Sequence, residues 1–228
     1  MTGSREALIH LPNGDAVSAL FSRPAKAESL LMLAHGAGAG MNHPFLEALS
    51  RELNSAGVAT LRYQFPYMEK GRRLPDAPAV LTGTVRAAAH QAKQLAPDLP
   101  LFAGGKSMGG RMTSMAASEQ RLETVRGLVF FGFPLHPPNR PGTKRADHLA
   151  RVTVPMLFLQ GTRDAFADLD LLRPICERLG PRATLRTFEG ADHSFHVLKS
   201  SGTNDAAVLR DLVENTAGWT RGILRESC

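Results

Sequence analysis

Ser107 stands in Gly105-Lys106-Ser107-Met108-Gly109, directly after an apolar run and directly before a stretch with helical character. A serine on a sharp turn between a strand and a helix holds its hydroxyl in the open. The glycines two residues to either side remove the bulk that would keep strand and helix apart. A hydroxyl is a weak nucleophile at neutral pH and needs a base. Gly190-Ala-Asp-His193 follows the strand-like stretch 183–188, and Gly161-Thr-Arg-Asp164 follows the apolar stretch 154–160. Each places an imidazole or a carboxylate on the loop after a strand. Together the three side chains describe nucleophilic attack, with His193 taking the serine proton and Asp164 orienting the imidazole and balancing its charge. A fourth segment, His35-Gly-Ala-Gly-Ala-Gly40, ends another apolar run, and its small residues leave backbone N–H groups uncovered. The expected donors to a developing oxyanion are the N–H of Ala37, with Gly38 as second choice, and that of Met108. This chemistry transfers an acyl group to water, and it calls for no metal or organic cofactor.

These residues need a scaffold that brings three distant loops to one place. Asn13-Gly14 between two short apolar stretches reads as a hairpin. Beyond it, strands expected at 29–34, 58–62, 100–104, 125–131, 154–160 and 183–188 alternate with helices expected at 44–56, 79–96, 109–119, 168–179 and 204–224. Alternation of this kind predicts an α/β fold, a mostly parallel sheet of about seven or eight strands with helices on both faces. Loops at the carboxyl ends of such strands line one crevice. Gly36, Gly38, His43 and Tyr67 are expected in its substrate-facing wall. The proline-dense stretch from Gly132 to Pro141 is too short for a cap domain, and residues 1–228 read as a single domain.

Other residues at these loops have competing roles. Asp192 adjoins His193, but neighbours on one loop point apart, which favours Asp164 as the partner. Asp168 and Asp170 read as first-turn carboxylates of a helix. His193 and His196 have a spacing that suits a metal, but no third ligand accompanies them, so no metal site is expected. His35 is expected to brace its loop, and Lys106 to project sideways to solvent or to an acid. Gly105-Lys106-Ser107 imitates the end of a phosphate-binding loop, yet that motif needs a glycine where Pro100 stands.

The strings Gly-Gly-Lys-Ser-Met-Gly-Gly-Arg-Met and His-Gly-Ala-Gly, with Asp164 and His193 downstream, resemble small capless α/β-hydrolases of the dienelactone hydrolase-like group. They are most similar to bacterial relatives of the testis-expressed and NSL-complex-subunit proteins. The resemblance spans about residues 5 to 225. It implies Ser107 as nucleophile, His193 as base, Asp164 as orienter, and a small acyl compound as substrate. Dienelactone hydrolases carry a cysteine where this chain has Ser107. The relatives that serve in complexes leave a second reading open, a non-catalytic binding or scaffold protein.

Composition narrows the alternatives. Hydrophobic content of 43% and charged content of 21% are ordinary for a globular chain. The 27 basic residues outnumber the 21 acids but are scattered among them, with few aromatic residues to stack bases, so no nucleic-acid partner is expected. No run approaches the ~18 apolar residues of a membrane helix, and the first residues carry no signal-peptide core. Two cysteines, Cys176 and Cys228, do not make a disulfide framework, and a reducing cytoplasmic setting is expected.

Overall fold

The computed structural model describes residues 4–226; Cys228, weighed above for disulfide pairing, lies outside them. The hairpin forms as the Asn-Gly signal predicts, with β1 (Arg5–His10) antiparallel to β2 (Ala16–Ser22). Then follow β3 (Ser29–Ala34), α1 (Pro44–Ser55), β4 (Val58–Tyr63), the single turn α2 (Pro66–Glu69) and α3 (Pro78–Leu95). The second half contributes β5 (Leu101–Lys106), α4 (Met108–Glu119), β6 (Val125–Phe131), β7 (Met156–Gly161), α5 (Leu169–Leu179), β8 (Ala183–Phe188) and α6 (Asp205–Glu226). The strands join in one eight-stranded sheet, ordered β1-β2-β4-β3-β5-β6-β7-β8. Only β2 runs antiparallel to its neighbours.

Both faces of the sheet are covered, so the central strands are apolar at nearly every position rather than alternating. In β3, Leu30 and Met32 point into one core with Val85, Ala88 and Met112 of α3 and α4. Leu31 and Leu33 point into the other, with Leu46, Leu49 and Leu53 of α1 and Leu212 of α6. Each leucine so enclosed contributes about 2 kcal/mol of burial free energy. Helix α1 starts where Pro44 supplies a preset φ and the His43 side chain accepts from the Phe45 N–H; Gly57, at φ 85°, turns the chain away after its end.

Topology decides where chemistry can occur. From β3 the chain turns to β4 on one side, then crosses back to lay β5 on the other. The loops that follow β3 and β5 therefore leave adjacent strands in opposite directions, which opens a crevice at their carboxyl ends. Among the described residues no cap domain covers it. The proline-dense loop runs to Thr143, and Lys144–Arg151 then winds into 3-10 turns packed on α4. Strand β7 starts at Met156, two residues later than hydropathy predicts, because Pro155 has no N–H for the ladder.

Candidate active site

Ser107 links β5 to α4 at φ 51° and ψ −119°, a left-handed conformation that costs a non-glycine residue of order 1–3 kcal/mol. The surrounding contacts hold it there. A methyl group at Gly105 or Gly109 would run into the Ala34 carbonyl oxygen, so both glycines permit the close approach of the turn to the end of β3. The Ser107 N–H is tied to the Phe131 carbonyl of β6 at 3.1 Å.

His193 reaches this serine from a loop 86 residues away, and Asp164 meets His193 across 29 residues. His193 Nδ1 lies 2.7 Å from Asp164 Oδ2, an atom that can only accept, so the ring proton sits on Nδ1. Nε2 is then free to accept from Ser107 Oγ at 2.8 Å. The Asp164 carboxylate has no solvent exposure. It is instead saturated by protein donors, with Gln160 Nε2 on Oδ2 at 2.5 Å and the Phe166 N–H on Oδ1 at 2.7 Å. Gln160 is itself aligned by the Phe133 N–H, and the Phe166 ring lies 4.3 Å from the His193 ring. Asp192, the competing carboxylate, turns away and accepts from the N–H groups of Ser194 and His196.

The loop after β3 is braced from beneath. His35 is fully buried; its Nε2 accepts from the Phe65 N–H at 3.1 Å and its Nδ1 donates to the Gly36 carbonyl at 2.7 Å. Burial pushes its pKa down to about 4, so the ring is neutral near neutrality. Gly36 flanks Ser107: a methyl group there would lie 3.7 Å from Ser107 Cβ. The Gly38 N–H donates to Tyr67 Oη at 2.9 Å. Among the described residues no acceptor takes the N–H of Ala37 or of Met108.

Two residues expected in the crevice wall stand elsewhere. Tyr67 is fully buried in the core and reaches the crevice only through its hydroxyl on the Gly38 N–H, because the single turn α2 packs its ring inward. His43 is exposed and caps α1 instead. Asp168 caps α5, accepting from the Asp170 N–H, and His196 pairs on the surface with Asp205 at 2.8 Å.

Lys106 differs most from its expected place. Its side chain turns inward, donating from Nζ to the His193 carbonyl at 2.5 Å and lying 5.5 Å from the centre of the Phe195 ring. Burial lowers its pKa to about 8 against the opposing pull of Asp164 and Asp192. This ammonium joins the elbow strand to the histidine loop, a contact that no spacing rule announces. Gln160 was equally hidden, being one more polar residue at the end of an apolar strand.

Comparison with known proteins agrees with this architecture. The structure is similar to dienelactone hydrolase from Anabaena variabilis, at 21% identity over 97% of this chain and 98% of that one, with a TM-score of 0.77. It is also similar to an α/β serine hydrolase without a lid from Xanthomonas campestris, at 19% identity over 96% of both chains and a TM-score of 0.75. Est1E from Butyrivibrio proteoclasticus, solved with ferulic acid bound, shares 18% identity over 92% of this chain and 97% of that one, with a TM-score of 0.72. Residues 27–221 match the model of a family described as an alpha/beta hydrolase domain, and this chain belongs to that family.

Proposed function

We propose that this protein is a serine hydrolase that cleaves a small ester, thioester or lactone through an acyl-enzyme on Ser107. The observation that carries this reading is the unbroken chain from Ser107 Oγ to His193 Nε2 at 2.8 Å and from Nδ1 to Asp164 at 2.7 Å. In the forward step His193 takes the Ser107 proton as Oγ bonds to the acyl carbon. The resulting imidazolium rests against Asp164. The negative oxygen of the tetrahedral intermediate is held by the N–H groups of Ala37 and Met108. His193 then protonates the leaving group, and the C–O or C–S bond breaks. Water repeats the sequence on the acyl-enzyme, releasing the acid and restoring Ser107.

The exposed, capless crevice supports small or protruding acyl substrates, and the chemistry calls for no metal or organic cofactor. A reducing, cytoplasmic setting is part of the same reading, supported by the buried free thiol of Cys176. The test is hydrolysis of short 4-nitrophenyl esters by the wild type and by Ser107→Ala, with fluorophosphonate labelling alongside. Loss of roughly 10⁴-fold or more in kcat, with labelling confined to Ser107, is expected. Equal background rates and no label would remove the hydrolase reading.

A further inference from the structure

Both carboxylate oxygens of Asp164 trace back, through one residue each, to the same short loop after β6. Oδ2 accepts from Gln160 Nε2, and Gln160 Oε1 accepts from the Phe133 N–H at 2.9 Å. Oδ1 accepts from the Phe166 N–H, and the Phe166 carbonyl accepts from the His136 N–H at 2.9 Å. Gly132, at the head of this loop with φ 70°, lies against the pair itself. A methyl group there would stand 3.5 Å from Asp164 Oδ2 and 3.5 Å from His193 Nδ1.

His136 is the one polar side chain in Gly132-Phe-Pro-Leu-His136, and it is 6% exposed. Its Nε2 lies 2.9 Å from the backbone nitrogen of Asp168, which can only donate. Nε2 therefore accepts, and the ring proton sits on Nδ1, which donates to the Pro137 carbonyl at 2.9 Å. Backbone and ring together grip the acid turn on either side of Ala167, at the Phe166 carbonyl and the Asp168 N–H. The Ala167 N–H closes the turn on the Asp164 carbonyl at 3.2 Å. His35 shows the same bonding pattern beneath the loop after β3, with Nε2 taking an N–H from a neighbouring loop and Nδ1 returning a proton to the next carbonyl. Without the His136 ring, the Asp168 N–H must turn to water or another acceptor. The turn is then free to shift, and Phe166 within it touches both Asp164 and the His193 ring.

We propose that His136 is a positioning residue for the acid of this site: by holding the Phe166–Asp168 backbone it fixes the Asp164 carboxylate opposite His193, without itself meeting the substrate. This rests on the reading of Ser107, His193 and Asp164 as a hydrolytic triad. Misplacing a group by about 1 Å can cost about 10²-fold in rate even when the change is made away from the reacting atoms. The loop that stands where a cap would be inserted thus acts from beneath, on the acid.

The test uses two variants that differ in reach. The carboxamide of His136→Gln can place an oxygen where Nε2 stood and accept from the Asp168 N–H, whereas that of His136→Asn ends near the Nδ1 position. His136→Asn should lower kcat on short 4-nitrophenyl esters by about tenfold with KM little altered, and His136→Gln should recover most of the loss. The proton NMR resonance of the His193 Nδ1–H, identified by its absence in His193→Ala, should move upfield or broaden in His136→Asn and return in His136→Gln. Leu101→Ala, at the far end of β5 from Ser107, controls for destabilisation: its melting temperature should fall while kcat stays near the wild-type value. Unaltered kcat and resonance in His136→Asn overturn the proposal. So does a loss of kcat that His136→Gln and Leu101→Ala share in full, which would make His136 a packing residue. The resonance needs no turnover, so the two readings fail separately. A resonance that responds to these variants, in a protein that hydrolyses no ester, would keep the positioning role and discard the hydrolase. Ser107-dependent hydrolysis with kcat and resonance untouched in His136→Asn would do the reverse.

Discussion

The loop after β3 and the loop after β8 meet at Ser107, yet they are held by opposite means. The first, from His35 to Gly40, rests on neutral buried bonds: His35 to the Phe65 N–H and Gly36 carbonyl, Tyr67 to the Gly38 N–H. The second, from Gly190 to Val197, rests on charges: Asp192 on its own loop's N–H groups, Asp205 on His196 and Val197, and Lys106 beneath the His193 carbonyl. Under the proposed hydrolase reading, the difference follows from what each loop would present. A loop that offers bare N–H groups to a developing anion must itself stay uncharged and still. A loop that carries a general base needs charges placed around an imidazole that cycles between neutral and protonated forms.

If this contrast is correct, acid should undo the first loop before the second. His35 is neutral when folded and titrates at about 4, whereas in the unfolded chain it titrates near its usual 6.5. Between these values the unfolded state binds more protons, so the contribution is complete above pH 6.5 and drains away as pH falls toward 4. The loss amounts to about 3 kcal/mol. Urea unfolding across this range should show the decline, and His35→Gln should flatten it. An equal slope in both proteins would mean that the loop does not depend on a neutral His35.

The second effect concerns Lys106. Lys106→Met removes the bond to the His193 carbonyl and should lower kcat about tenfold, near the value of one charge-assisted hydrogen bond, with KM little altered. Its folded pKa of about 8 lies below the ordinary 10.5. The unfolded state therefore binds more protons between those values, and wild-type stability should rise with pH in that window. In Lys106→Met that rise should be missing. A fall in stability across the same window would place the amine outside the buried site described.

The smallest effect is at the exposed end of the second loop. Asp205 raises the His196 pKa, so this pair stabilises the fold below the usual histidine value and stops doing so as pH rises through the raised one. Both side chains are more than half exposed, so salt screens the interaction. His196→Ala should shift the melting temperature only slightly at pH 5 and low salt, and not at high salt. A shift that persists at high salt would mean that the loop is held there by packing rather than charge.

The chain's residues alone predicted the alternating strands and helices, the glycine-flanked turn at Ser107 and the loops that bear Asp164 and His193. Those features are local: each depends on side-chain periodicity, on backbone space at a turn, or on a polar residue placed just after an apolar run. The strand order was not legible, and with it the switch between β3 and β5 that sets Gly36 beside Ser107. Only the tertiary structure buried Tyr67, moved His43 to a helix cap and turned Lys106 inward. Each of these depends on which distant loop fills the space around a side chain, and sequence spacing carries no information about that once the contact spans several elements of the fold.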